Sequence, residues 1–458
     1  MMVRIGNCAG FSGDRVDAPG PVVDTLIAAG GPAAVFFEVL GERTVALAQL
    51  ERRRDPTRGY EPMLERLVGP VLARCAGAGI PILGNFGAAN PPAAAAAIAR
   101  LALAAGLPGL RIAVVGGDDV SGTMDLDRLE PHEVDGTLLP AGRERLIAAN
   151  AYVGAGPMVE ALAAGAQVVV AGRVADPSLA LAPLMHFHGW AADDWDRLAA
   201  GTMAGHLLEC GSQVTGGVFY DPGFKDVPDP ANLGFPIAEV EADGRMVVTK
   251  AADTGGLVDL RTVREQLLYE VHEPAAYVTP DVVLDITGVR IAQVGANRVA
   301  VEGARGGPAP ARLKVTACYE GGFLGEGEVT LAGPNCLARA RLAADVLRAR
   351  MVLRGLDVRL RVDLVGVASV HDDDGGSLGR AWVGAEPAEV RVRLAAESPV
   401  RDDAEQAARE VLALLCCGPA GTGGARWWVT PRLHTRSFLV PRGDVRPTMR
   451  LATARELA

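Results

Sequence analysis

Five short apolar runs in the first 175 residues each lead into polar side chains. Val3-Arg4-Ile5-Gly6 leads to Asn7, Ala34 to Phe37 leads to Glu38, and Ile80 to Gly84 leads to Asn85. Arg111 to Val115 leads to Gly116-Gly117-Asp118-Asp119, and Val168 to Gly172 leads to Arg173, with Asp176 just beyond. Near-continuous apolar runs of this length, separated by helix-length segments, predict buried parallel strands. Ligands of open α/β sheets sit outside the carboxyl ends of the strands, so the pattern gathers Asn, Asp, Glu and Arg where a site belongs.

Helical length and apolar spacing predict crossovers over Pro21 to Ala29, Glu61 to Ala78, Pro91 to Ala105, Arg143 to Leu162 and Pro177 to Phe187. A second regime begins near His206. Short strands are predicted at Val214 to Tyr220, Ala238 to Val240, Met246 to Lys250, Val282 to Ile286, Arg298 to Val301, Arg312 to Tyr319 and Gly327 to Leu331. After Pro334 the pattern predicts a helix over Cys336 to Arg354, strands over Val358 to Ala368 and Glu389 to Ala396, and a helix over Asp402 to Leu415. The expected fold is α/β, an N-terminal parallel sheet flanked by helices, followed by a β-rich and α+β second domain. The expected division is residues 1–205 and 206–458. Asp373 to Ser377 reads as an exposed loop.

Composition changes the picture in three places. At 458 residues the chain exceeds one ordinary hydrophobic core, which supports two domains. A net charge of −10 argues against a nucleic-acid partner, because phosphate binding needs a concentrated basic surface. Seven cysteines without a C-x-x-C pair fit a reducing compartment better than a disulfide framework. The N-terminus lacks signal-peptide character, and the Ala-rich stretch Ala93 to Ala105 is short and carries Arg100, so the expectation is a cytoplasmic, soluble protein without a membrane partner; a homo-oligomer is a separate expectation. Only Lys225, Lys250 and Lys314 are lysine among 45 basic residues, a bias that a GC-rich genome explains without function.

Four groups carry candidate chemistry. The strand ends supply Asn7, Asp14, Glu38, Asn85, Asn90, Asp118, Asp119, Arg173 and Asp176 as partners for a polar ligand, although Asn and Asp in such places also cap helices and brace turns. Gly116 and Gly117 let backbone N–H groups approach an anion. Neither they nor Gly84 to Pro91 form a dinucleotide fingerprint or a P-loop, so no NAD or ATP is indicated, while a phosphate or carboxylate stays open. His206, Glu209 and Cys210 share helical spacing, which allows a general base, a thiol nucleophile or two metal ligands. No spacing supplies the remaining ligands of a zinc site, so no metal is assigned. Cys416 to Arg426 is richer in glycine than a helix cap requires, and His371 with Asp372 to Asp374 reads equally well as a solvated loop.

Longer words add a resemblance. Arg4-Ile5-Gly6-Asn7, Gly13-Asp14-Arg15, Asn150-Ala151-Tyr152, Gly172 to Ser178, Ala204 to Cys210, Gln213 to Gly217, Asp221 to Pro228, Gly234 to Glu239 and Gln266 to Glu270 resemble the acyclic terpene utilization (AtuA) family over about Arg4 to Arg442. The resemblance implies a place in bacterial breakdown of branched terpenoid acids, alongside acyl-CoA carboxylase components. Some members carry a small C-terminal domain, expected here to be absent or a separate subunit. Cys8-Ala9 and Ala88-Ala89 depart from the pattern, which leaves the substrate unassigned. The expected function is an enzyme of branched-chain or terpenoid acid metabolism, acting on an acyl-CoA thioester or a branched polar acid by hydration, dehydration or carbon–carbon lysis. In this reading His206, Glu209 and Asp118 are catalytic, and Arg173 pairs with an acid group. A non-catalytic metabolite-binding component docking on an acyl-CoA carboxylase, and a thiol-dependent hydrolase using Cys210, are the alternatives.

Overall fold

The computed structural model describes residues 1–124 and 145–458. Strands β1 (Met2–Ala9), β2 (Ala33–Phe37), β3 (Ile82–Gly84) and β4 (Arg111–Gly116) form where the apolar runs predict them, and after β5 (Leu146–Ala151) so does β6 (Val168–Ala171). Five of these lie parallel in the order β1-β2-β3-β6-β4. Every residue of β2, β3 and β6 is buried because helices cover both faces of the sheet.

The covering helices are α1 (Pro19–Ala29), α2 (Glu42–Arg54), α3 (Leu64–Ala78), α4 (Pro91–Ala104), α5 (Gly156–Ala163), α6 (Ser178–His188) and α7 (Trp195–Glu209). Helices α1, α3 and α4 close one face over Val22, Leu26, Leu67, Val71, Ile98, Phe37 and Phe86. The Phe37 and Phe86 rings meet edge to face at 6.1 Å, and each ring buried here contributes roughly 1.5–3 kcal/mol. Gly84 is required beside them, since a Cβ there would lie 2.1 Å from the Phe86 ring. Helices α6 and α7 pack on the opposite side, against β1, β2 and β7 (Pro236–Glu241).

Strand β7 runs antiparallel to β1, and β8 (Met246–Lys250) continues outward. Helix α8 (Leu260–Leu268) follows, with β9 (Tyr277–Val278) and β10 (Val283–Asp285) in a small sheet. Strands β11 (Arg290–Gly295) and β12 (Arg298–Glu302) return to extend the large sheet, and β13 (Arg305–Gly307) completes the small one. The large sheet gains its last member from β18 (Thr448–Thr453), antiparallel to β4, giving ten strands in the order β11-β12-β8-β7-β1-β2-β3-β6-β4-β18. Residues 206–318 therefore belong to the same compact unit as residues 1–124 and 146–205, together with 435–458.

The other unit holds Tyr319–His434. It contains most of β14 (Arg312–Ala332), then α9 (Cys336–Arg354), β15 (Arg359–Val365), α10 (Ser377–Ala381), β16 (Glu389–Ser398), α11 (Arg401–Cys417) and most of β17 (Thr422–Pro441), an α+β arrangement. Leu347, Val392, Leu394 and Val411 lie in its core. Short helix α12 (Ala454–Leu457) ends the chain in the first unit. Among the described residues no helix is long and apolar enough to cross a membrane.

Four predicted elements take another form. Arg143 and Glu144 lie outside the described residues, and the remainder of the predicted helix is β5, a turn and α5. Tertiary pairing overrides helix propensity there: Ala151 N–H donates to Asp118 O at 2.8 Å and Tyr152 N–H to Lys314 O at 2.9 Å. Val214 to Tyr220 is not a strand but a 3-10 turn, Gly211–Thr215, followed by a loop. Thr215 is tied by its hydroxyl to Gly234 O at 2.6 Å, and Gly216 at φ 112° reverses the chain. The two strands predicted over 312–331 are one strand, β14.

Candidate active site

Parallel pairing sets the ends of β1, β2, β3, β6 and β4 side by side, and with them Asn7, Glu38, Asn85, Arg173 and Asp118. The β1–β2 register shifts between Asn7 and Ala9, an irregularity that sends Cys8 into the core while Asn7 faces the rim. All five polar residues are buried, as are His206 and Glu209 at the end of α7.

Hydrogen bonds tie them into three groups, and charge links the groups, since Arg173 and Glu209 both act on Glu38. Asn85 donates its amide to Glu38 Oε1 at 2.9 Å and accepts Val39 N–H at 2.8 Å, while Leu40 N–H reaches the same Glu38 oxygen at 2.9 Å. Arg173 Nη2 donates to Asp176 Oδ1 at 2.5 Å, and the guanidinium lies 4.2 Å over the Tyr152 ring. The Tyr152 hydroxyl donates to Glu42, at the start of α2, and Lys314 Nζ lies 5.2 Å from the same ring. Asp118 Oδ2 receives the Arg173 backbone N–H and the Asn150 amide, each at 2.8 Å. His206 Nδ1 lies 3.1 Å from Glu209 Oε1, Asn7 Nδ2 donates to Glu209 O at 3.4 Å, and the Tyr277 ring meets the imidazole edge-on at 5.3 Å.

Many polar atoms of the cluster are unmatched. Ten buried side-chain polar atoms among the described residues lack a partner, and six belong here: Asn7 Oδ1, Arg173 Nε and Nη1, His206 Nε2, Glu209 Oε2 and Oε1 of Gln266, whose amide donates to His206 O at 3.0 Å; Asn150 Oδ1, beside Asp118, is another of the ten. Unpartnered buried groups cost stability, and their concentration in one place makes this cluster the candidate site.

Electrostatics single out Glu38. Burial pushes its carboxyl up to about 7, against the pull of Arg173 and the Asn85 hydrogen bond. Burial likewise raises Asp176 well above the carboxylate range, although Arg173 opposes it. Burial raises Asp118, opposed by the Arg173 N–H and by Asn150. Burial works against charge on Arg173, but Asp176 and the other surrounding anions outweigh it and hold the guanidinium as a cation. Burial would depress the His206 imidazole, but the Glu209 hydrogen bond and charge prevail and it sits above its ordinary value. Burial and Glu209 together push the Cys210 thiol up, away from the thiolate a nucleophile needs.

Other sequence candidates stand apart. Asn90 caps α4, accepting from Ala93 N–H, and its amide ties Pro56 O and Arg58 O, so it is a brace rather than a ligand group. Asp14 closes its own loop by accepting Gly10 N–H at 2.8 Å and Arg15 N–H at 2.7 Å. Asp119 accepts from the Ser121 backbone and hydroxyl and from Gln49. Helix α7 ends at Glu209, so the partner of His206 is Glu209, three residues on, rather than Cys210. Asp372 accepts three backbone N–H groups around α10. Among the described residues no group of three or more His, Cys, Asp or Glu could hold a metal ion.

Two cavities flank the rim. A groove of about 1060 Å³ lies beyond β2 and β3, with Val39, Leu40, Leu47, Ala48 and Ala93 among its apolar walls and Arg58 and Arg100 among its charges. A cleft of about 270 Å³ lies outside β4, lined by Gly116, Gly117, Asp118, Asp119 and Asn150. Sequence reasoning missed Glu42, Tyr152, Lys314, Gln266 and Tyr277 as site residues. Tyr152 and Gln266 stood in the family words without an assigned role, and nothing local marked the others.

The sequence pattern of acyclic terpene utilisation family protein AtuA matches residues 3–451. The chain belongs to that family. No curated protein and no solved structure matches it. The AtuA match covers every residue of the cluster, from Asn7 to Lys314.

Proposed function

We propose that this AtuA-family chain is an enzyme that adds or removes water next to the carbonyl of a branched, terpenoid-type acid or its coenzyme A thioester. The observation that carries the reading is Glu38, pushed up to about 7 and set beside a buried guanidinium with two unpartnered donor atoms. A group that titrates near the working pH is matched to proton transfer, and a buried cation is suited to an oxygen that gains negative charge.

In the elimination direction, Arg173 holds the carboxylate or thioester oxygen. Glu38, as carboxylate, takes the proton from the carbon next to the carbonyl, and the electron pair of that C–H bond forms the double bond. The adjacent C–O bond breaks, and the departing hydroxyl takes a proton from His206 to leave as water. Hydration is the reverse. Glu209 keeps His206 oriented and favours its protonated form. The apolar walls beginning at Val39 and Leu40, immediately after Glu38, suit a branched hydrocarbon tail.

Purified chain alone, offered branched 3-hydroxyacyl and 2-enoyl thioesters with the matching free acids, is expected to interconvert hydrated and dehydrated forms. Glu38→Gln should slow the step by about 10²–10⁴-fold. Activity that needs an added carboxylase, or survives Glu38→Gln, contradicts the reading.

A further inference from the structure

We propose that the cleft outside β4 is a separate binding site for a small oxyanion, a carboxylate or a phosphate, that also carries a hydroxyl or ammonium donor. The site stands beside, not within, the group containing Glu38, His206 and Glu209, none of which lines it.

Its inner end accepts hydrogen bonds. Asn150 is 1% exposed and lines the cleft. Its amide nitrogen faces Asp118 Oδ2, a carboxylate oxygen that also takes the Arg173 N–H, so the assignment of NH2 to that side is fixed by its partner. That leaves Asn150 Oδ1 as a buried carbonyl with no donor. A plain anion cannot satisfy it and would also meet the Asp118 carboxylate, whereas a hydroxyl or ammonium group suits both.

The rim carries the opposite character. Arg52 and Arg450 line it, with the Thr448 hydroxyl. Arg52 gives Nη1 to Ala89 O at 2.7 Å, which fixes the guanidinium in place and leaves its other edge for a ligand. Pro91 and Pro92 open α4 against the same cleft, and because proline has no N–H, recognition of charge falls to the guanidinium groups rather than the helix end. Gly117, at φ 88°, lets the strand exit pass the wall at Arg446, where a Cβ would lie 2.2 Å from the carbonyl oxygen. The ligand therefore lies with its donor inward at Asn150 and its oxyanion outward at Arg52 and Arg450. Arg173 shares Asp118 with this ligand through its backbone N–H, so the two sites are linked without sharing a side chain at the ligand.

Calorimetric titration of the full chain at millimolar ligand tests the proposal with two matched pairs: 3-hydroxybutyrate against butyrate, and glycerol 3-phosphate against propyl phosphate. Binding is expected for a hydroxylated member, with its partner lacking the hydroxyl weaker by about tenfold or more. The pair that binds identifies carboxylate or phosphate as the oxyanion. Arg450→Gln and Thr448→Val, both on an exposed part of β18, should weaken it, whereas Glu38→Gln should not. The proposal is overturned if neither hydroxylated anion binds, if the hydroxyl makes no difference, or if both rim variants bind as the parent does. Loss of binding in Glu38→Gln would also overturn it, by placing the ligand in the neighbouring site. Failure of the hydratase assay with this titration intact would count against the proposed reaction alone.

Discussion

Glu38→Gln is expected to stabilise the protein at pH 8 by about 3 kcal/mol while slowing the proposed hydration and dehydration step. The folded-state carboxyl titrates at about 7, against an ordinary value of 4.5. Between those two values the native chain holds a proton that the unfolded chain has released, so native stability falls as pH rises through that window, and above about 7 the cost of the buried charge is complete. Glutamine keeps an oxygen for the Leu40 and Asn85 donors and carries no charge, so the variant escapes that cost. Urea unfolding at pH 5 and pH 8 checks this. The advantage of the variant should be small at pH 5 and large at pH 8, and a variant that is less stable than the parent at pH 8 would contradict the burial argument.

Arg173→Met is expected to do the opposite, destabilising the protein at pH 8 by about 3–5 kcal/mol, the range seen when one partner of a buried charge group is removed. The guanidinium is 2% exposed and stands among Asp176, Glu38 and Glu42, so its loss leaves like charges facing one another without a cation. The packing over the Tyr152 ring is lost as well. The penalty should shrink towards pH 5, because Glu38 and Asp176, both raised by burial, take up protons there and no longer need a counter-charge. Urea midpoints across that range give the answer, and a variant as stable as the parent at pH 8 would show that the carboxylates are neutral without Arg173.

What could be read from the chain follows from which signals are local. The parallel strands were legible because each is buried on both faces and so reads as an apolar run, and their shared polarity at the ends was legible for the same reason. Helix α2 was not, since only Val45, Ala46 and Gln49 are buried along its 13 charged and polar-rich residues, too few for an apolar stripe. Strand β5 was hidden by its Leu-Ile-Ala-Ala composition, which suits a helix until the carbonyls of Asp118 and Lys314 claim the N–H groups of Ala151, its last residue, and of Tyr152 just beyond. Within the site, residues that directly follow a strand were found, whereas Glu42, Lys314 and Tyr277 arrive from elements whose position depends on the whole sheet. Asn90 and Asp14 carried the same local signal as Asn85 and Asp118. Only the three-dimensional partners separate a helix cap and a loop brace from a rim group.

The titration of the Glu38 carboxyl itself is the most direct test, because it requires no knowledge of the substrate. Infrared difference spectra of the parent protein, with Glu38→Gln as the reference, should show a protonated-carboxyl band that disappears with a midpoint near pH 7. A band lost near pH 4.5, or no band assignable to this residue, would mean that the strand ends hold an ordinary solvated carboxylate, and the proton-transfer site described here would not exist.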